Sequence, residues 1–252
     1  MQRYFIPEKD WNEDNVIVKG QDAHHLTRVM RKNIGDHIIC NHTKGKAAIC
    51  EIDKIEKEVV QLHVVEWLEE NVELPISVTI AQGLPKGDKL ELVLQKGTEL
   101  GASAFIPFQS KRSVVNWDKR KSEKKIQRFK KIVKEASEQC HRNQIPDVFH
   151  PMSMKQLIEE SKSADVKIYA YEEEARLEKF QSFSTIVKKL KKGQNMLVVI
   201  GPEGGFAREE AELFNKNGFI PVRLGPRILR TETAALYALA SVSYQFEELG
   251  CL

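Results

Sequence analysis

Three glycines fall within five residues at Gly201-Pro-Glu-Gly-Gly205, directly after the apolar run Met196-Leu-Val-Val-Ile200 and ahead of a helical pattern over 208–217. A hydrophobic strand feeding a glycine-dense turn at a helix start brings bare backbone against a ligand, with N–H groups free to donate. The spacing is neither Gly-x-Gly-x-x-Gly nor a Walker loop with its Lys-Ser/Thr, so the dinucleotide and triphosphate motifs do not match. Standing alone, such a turn as often merely links strand to helix. A second turn follows the next strand at Leu224-Gly-Pro-Arg-Ile-Leu-Arg-Thr-Glu-Thr-Ala-Ala235 and opens the apolar helix that closes the chain. In open α/β sheets ligands sit outside the carboxyl ends of strands, so the two turns are expected to flank one pocket. Loop arginines are ordinarily solvated, but Arg227 and Arg230 stand beside this pocket.

The elements that must position these turns alternate between strand and helix from Ile76 onward. Candidate strands are 76–81, 104–107, 166–171, 196–200 and 219–224, which predicts a mainly parallel sheet. Leu90, Val93, Leu94, Gly97 and Leu100 follow helical spacing, with Lys89 and Lys96 together at the edge of the stripe. Ile126, Phe129, Val133, Ala136 and Cys140 form the apolar line of a long helix whose remaining circumference is basic. The first seventy residues read differently. Period-two alternation at 48–53 and 59–65 predicts strands, and Asp22 is placed to cap a helix over His24–Arg31. A boundary is expected near Glu69–Leu74, giving domains 1–72 and 73–252.

The whole chain has 252 residues and a net charge of only +3, too small to name a partner. Its distribution is more telling: residues 111–134 hold eleven Lys or Arg against Asp118 and Glu123, whereas 1–72 hold ten basic and thirteen acidic residues. A charge run is usually a solvated face, but so lopsided a run suits phosphate contacts. Cys40, Cys50, Cys140 and Cys251 are unpaired in spacing and fit reduced thiols. Cys40, His42, Cys50 and His63 lack the paired spacing of a structural metal site, and no metal is expected. With no leader visible and no apolar stretch approaching ~20 residues, a cytoplasmic protein with no membrane contact is expected.

Gly201-Pro-Glu-Gly-Gly-Phe206 together with Leu224-Gly-x-Arg-Ile-Leu-Arg-x-Glu-Thr-Ala234 resembles the RsmE family, 16S ribosomal RNA uridine N3-methyltransferases of the SPOUT superfamily. The resemblance runs nearly end to end. It includes Arg3-Tyr-Phe5, His24-His-Leu-x-x-Val-Met-Arg31 with Gly35-Asp36, Gln95-Lys-x-Thr-Glu-Leu-Gly101, Ser110-x-Arg-Ser-Val114, and Glu138-Gln-x-x-Arg142 with Pro146. Ala207 departs from it, standing where the family commonly has a capping Ser, a loss of about 1 kcal/mol to the following helix.

The resemblance implies an α/β protein: a PUA-like β-barrel over 1–72, then a SPOUT methyltransferase domain with a C-terminal trefoil knot. Periodicity alone would give an unknotted doubly wound sheet, since true knots are nearly absent among folds. It implies an S-adenosyl-L-methionine pocket formed by Tyr171, Glu172, Ile200, Gly201, Pro202, Glu203, Gly204, Gly205, Leu224, Gly225, Ile228, Leu229, Arg230, Thr233 and Ala234. Arg230 is then the residue that stabilises charge on a deprotonated uracil. Glu232 is either a base or orienting partner, or merely an acidic complement to the helix dipole. An RNA footprint would comprise Arg3, Arg28, Arg31, Lys89, Lys96, Arg112, Lys124, Lys125, Lys131 and Arg142. The implied partners are 16S ribosomal RNA, naked or within the assembled small subunit, and a second copy of the chain in a homodimer. A non-catalytic RNA-binding assembly factor is the competing reading. A nucleotide-phosphate hydrolase is disfavoured because no lysine or magnesium-binding hydroxyl accompanies the glycine turn.

Overall fold

The computed structural model describes residues 1–42, 45–115, 117, 119–171 and 182–250. The chain divides into two compact units, one of Met1–Glu73 with Ser137–Ile145, the other of Leu74–Ala136 with Pro146–Leu252. Among the described residues no helix is long and apolar enough to cross a membrane.

The first unit is built on β1 (Arg3–Ile6), β2 (Trp11–Asn12), β3 (Asn15–Lys19), β4 (His37–His42), β5 (Ala47–Glu56) and β6 (Val59–Leu68). They form one sheet in the order β1-β4-β5-β6-β3-β2, antiparallel except where β1 runs parallel to β4. Alternation drives the packing: Val16 and Val18, Ala48, Cys50 and Ile52, Val60 and Leu62 all turn into one core with Ile38 and Cys40. The helix after β3 is α1 (Gly20–His24), which continues as a wider π-type turn over His25–Val29. It starts at Gly20 without a side-chain cap, so Asp22 lies inside it and does not cap it.

Residues 137–145, assigned by the expected boundary to the second domain, belong with the first. Arg142 is the reason. Its guanidinium pairs with Glu73, whose carboxylate also accepts the backbone N–H groups of Asn143 at 2.9 Å and Gln144 at 3.0 Å. Asn143 in turn donates to the carbonyls of Glu70 and Gly45. This corrects two members of the expected RNA footprint. Arg142 is 5% exposed and Arg3 3%, with Arg3 donating to the Arg142 carbonyl at 3.3 Å and facing Glu70 at 3.9 Å. Both guanidinium groups are engaged inside the unit and offer no phosphate-facing surface.

The second unit is a parallel sheet of β7 (Ser77–Gly83), β8 (Ala104–Gln109), β9 (Asp147–Val148), β10 (Met152–Ser153), β11 (Val166–Ala170), β12 (Asn195–Ile200) and β13 (Ile220–Val222). The order is β10-β8-β7-β12-β11-β13, with β9 also on β8. Its helices are α2 (Lys89–Glu99), α3 (Lys119–Gln139), α4 (Met154–Glu160), α5 (Phe183–Val187), α6 (Arg208–Lys216) and α7 (Thr231–Ser243). Strand alternation splits the apolar residues between two cores. Val78, Ile80, Phe105, Ile168, Val198 and Ile200 pack with α2, α3, α5 and α7 on one face. Ala81, Ile106, Tyr169, Leu197 and Val199 pack with Leu157 of α4 and Ala211 and Phe214 of α6 on the other. The predicted buried line of α3 is met at Ile126, Phe129, Val133 and Ala136, while Cys140 is half-buried beyond the helix end.

Glu73→Gln removes the counter-charge of a buried arginine while keeping the shape of the side chain. It is expected to lower the unfolding free energy by about 3 kcal/mol in urea titrations; a change within experimental error would mean that this carboxylate does not hold residues 137–145 in place.

Candidate active site

Both glycine turns leave the sheet at the carboxyl ends of their strands and open on one cavity of about 600 Å³, a size ordinary for small-molecule sites. Its walls include Ala170 and Tyr171 at the end of β11, Ile200–Phe206 after β12, and Val222–Thr231 after β13, with Ala234 from α7 and the side chains of Lys89 and Arg112. Of the expected cofactor residues, Tyr171, Ile200, Gly201, Pro202, Glu203, Gly204, Gly205, Leu224, Gly225, Ile228, Leu229, Arg230 and Ala234 line it. Thr233 is exposed and does not, and Glu172 lies outside the described residues.

The first turn is held by close backbone contact. A Cβ on Gly83, the last residue of β7, would meet Pro202 Cδ at 2.7 Å and Pro202 N at 2.8 Å, so only glycine allows the two loops this approach. Gly205, at φ +65°, closes the turn by donating to the Pro202 carbonyl at 2.8 Å. Phe206 then anchors it among Phe108, Tyr169 and Phe214. The missing cap at Ala207 is offset by Glu210. Its buried carboxylate accepts the Ala207 N–H at 2.8 Å, the Ser110 hydroxyl at 3.1 Å and the Lys111 N–H at 2.9 Å. Residues 110–111 are thereby fixed to the start of α6, which sets Arg112 over the turn, where its Nη1 donates to the Gly204 carbonyl at 3.0 Å.

Glu203 faces Lys89 across the cavity rim, with Nζ donating to Oε1 at 2.7 Å, and the Lys86 N–H adds a bond at 3.1 Å. Burial pushes this carboxyl upward, but the ammonium and the backbone donors outweigh it, leaving its pKa below the usual carboxylate range. Lys89 is raised chiefly by the same hydrogen bond, with Glu232 attracting its charge and Arg230 opposing it. Glu232 is not among the lining residues. It occupies the second position of α7 with Oε2 buried and without a hydrogen-bond partner.

The second turn is tied down by a residue that the sequence reading missed. Gln82, at the end of β7 and fully buried, donates from Nε2 to Thr231 Oγ1 at 2.7 Å and to the Gly201 carbonyl at 3.4 Å. Thr231 itself donates to that carbonyl at 2.5 Å. Nothing in the local sequence of Gln82 marks it, because its partners lie 119 and 149 positions away. Beyond this node, the amides of Gly225 and of Arg227 to Arg230 donate to no partner among the described residues.

The remaining expected RNA contacts are distributed. Arg28 and Arg31 are exposed, the latter at φ +52°. Lys96 is bonded to Glu99, Lys124 is exposed, Lys125 lies 4.9 Å from the Trp117 ring centroid, and Lys131 sits 3.6 Å from Glu135. No group of three or more His, Cys, Asp or Glu able to hold a metal ion occurs among the described residues.

Thr231→Val keeps the side-chain shape and removes the hydroxyl, leaving a buried carbonyl and a buried amide each short of a partner. A loss of about 1–3 kcal/mol is expected by urea titration; unchanged stability would show that the node is not needed to seat α7.

The family description "RNA methyltransferase domain" matches residues 72–243, and "RNA methyltransferase PUA domain" matches 18–65. Ribosomal RNA small subunit methyltransferase E of Bacillus subtilis (strain 168) is 50% identical over 99% of this chain and 98% of its own. The protein of that name from Mycobacterium bovis is 32% identical, over 90% and 85%. The crystal structure of the Neisseria gonorrhoeae enzyme of that name, bound to S-adenosyl methionine, superposes with a TM-score of 0.85 at 28% identity, covering 97% of this chain and 98% of that one. With its glycine turns joined at one cavity and its sequence matched end to end, the chain belongs to the ribosomal RNA small subunit methyltransferase E family.

Proposed function

We propose that this chain methylates N3 of a uridine in 16S ribosomal RNA with S-adenosylmethionine as donor, as a cytoplasmic homodimer of PUA-like barrel and SPOUT domains whose C-terminal segment is knotted. The observation that carries the reading is the single cavity joining both glycine turns, with Arg230 in its wall. The lining fits the cofactor: Ile200, Leu224, Leu229 and Ala234 offer apolar contact, and unpartnered turn amides offer donors. The knot rests on the family resemblance, and the Gln82–Thr231–Gly201 node holds the start of α7 to the ends of β7 and β12. Tyr237 and Tyr244, 40% and 57% exposed on the last helix and the turn after it, support a second copy docking there.

When bound, the sulfonium cofactor supplies an electrophilic methyl group. The chain must bring N3 in line with it and take charge of the proton, since a protonated imide has no lone pair to offer. Arg230 stabilises the negative charge that spreads to the flanking carbonyl oxygens as the proton leaves. Glu232 is the carboxylate nearest Arg230 in the chain, and its buried, unpartnered Oε2 has to turn toward the cavity to take that proton. The same edge of uracil pairs in a duplex, so the target enters unpaired or extruded. Lys124, Lys125 and Lys131 on α3 attract the surrounding phosphates, together with the exposed Arg28 and Arg31.

Calorimetry is expected to show S-adenosylmethionine binding, and saturation without heat or thermal shift would exclude this activity and leave an RNA-binding assembly factor. Arg230→Ala should lower kcat by about 10²–10³ with an unchanged melting temperature, and Glu232→Gln should also slow turnover; a wild-type rate in the latter returns Glu232 to the helix-dipole role. Replacing Lys124, Lys125 and Lys131 with Gln should flatten the slope of log affinity against log salt by about two. An unaltered slope would make α3 a solvated face.

A further inference from the structure

We infer that Arg112 and Arg227 form a subsite for an RNA backbone phosphate at the cavity, and that the charge of this subsite couples RNA binding to cofactor binding. The inference rests on the methyltransferase reading above. Among the described lining residues the one carboxylate, Glu203, is already paired with Lys89, whereas Arg112, Arg227 and Arg230 have no acidic partner there. Arg112 is fixed in place by the Glu210 bonds to Ser110 and Lys111 and by its own bond to Gly204, with its other donors remaining. Arg227 comes from the other turn, exposed and without a partner among the described residues.

S-adenosylmethionine can occupy one of these guanidinium groups through its carboxylate but not all three. With an ammonium, a sulfonium and one carboxylate it is a net cation, and like charges in one cavity repel. A further anion balances the remaining guanidinium charge of the described lining, and the substrate supplies one in the phosphates on either side of its target nucleotide. A phosphate on Arg112 and Arg227 cancels the repulsion, so RNA tightens binding of the cationic cofactor, and by linkage the cofactor tightens binding of RNA. Methyl transfer removes the sulfonium charge. S-adenosylhomocysteine, with no net charge, neither suffers the repulsion nor gains from the phosphate, so the coupling disappears when product forms and the RNA is released.

Equilibrium dialysis of the full chain with labelled S-adenosylmethionine and S-adenosylhomocysteine, with and without naked 16S ribosomal RNA, tests this directly. At low salt and without RNA, the homocysteine product should bind about fivefold or more tightly than the donor. That gap should narrow at high salt, and RNA should tighten the donor by a similar factor while leaving the product nearly unchanged. Arg112→Gln combined with Arg227→Gln should shrink both effects, with the product affinity of the double variant reporting an intact pocket. Arg227→Gln alone, at an exposed position, should show an intermediate effect. The inference is overturned if the donor-to-product ratio is the same in wild type and variants, or if RNA leaves donor affinity unmoved. Binding of neither cofactor would overturn the methyltransferase reading itself.

Discussion

One carbonyl organises the site. The Gly201 oxygen, at the end of β12, accepts from Thr231 at the start of α7 and from Gln82 at the end of β7. Three chain segments, two of them 30 positions apart and the third 119 and 149 positions from those two, thus share one buried hydrogen-bond node. A buried carbonyl without partners is costly, so the node favours one seating of the last helix over its neighbours. That seating fixes Arg230 as the residue before the helix and places the second glycine turn opposite the first. The cavity exists because this node determines where the chain returns.

Electrostatics then sets the shape of the rim. Glu210 is buried and satisfied by three donors, which fixes residues 110–111 on α6 and Arg112 over the Gly204 carbonyl. Glu203 plays the corresponding part on the other side through Lys89 and Lys86. Glu210, behind the lining, is satisfied by neutral donors alone, whereas Glu203 in the lining is neutralised by Lys89. The uncompensated charge of the described lining is consequently all positive, which suits an anionic substrate and penalises a cationic cofactor bound alone. A site of this kind favours its two ligands together over either separately.

Much of this was legible in the residues. Period-two alternation located the strands because each sheet face buries one set of side chains, and the glycine turns located the pocket because strand ends open there. The turn at Gly201–Gly205 needed no alignment to be noticed, since few other constraints concentrate three glycines after a buried strand. Gln82 was illegible for the opposite reason. Its local context is that of any residue at a strand end, and its role is defined only by the two segments that later arrive beside it. Cys50 could be placed in the core from alternation alone, whereas Thr233 could not be separated from its neighbours, because which side of a helix's first turn faces a cavity depends on how the helix is docked.

Arginine shows where reading by residue type fails. Arg3, Arg142 and Arg230 look alike as basic residues in short motifs, yet two are buried in ion-paired positions and one stands at the cavity wall. The difference lies in the distant carboxylates. Glu73, 69 positions from Arg142, gathers the guanidinium and the amides of residues 143 and 144, and Glu70 faces Arg3. Residues 1–73 hold fourteen acidic residues against ten basic ones, and two of the acids, Glu70 and Glu73, face arginines inside the unit. Net charge by segment therefore understates the sorting that folding performs. The acid of the first unit is partly internal, whereas α3 displays most of its base on the surface. Since Glu70 and Glu73 are each matched by a buried arginine, the first unit keeps its small acidic excess, and the basic surface charge lies mainly on the second unit.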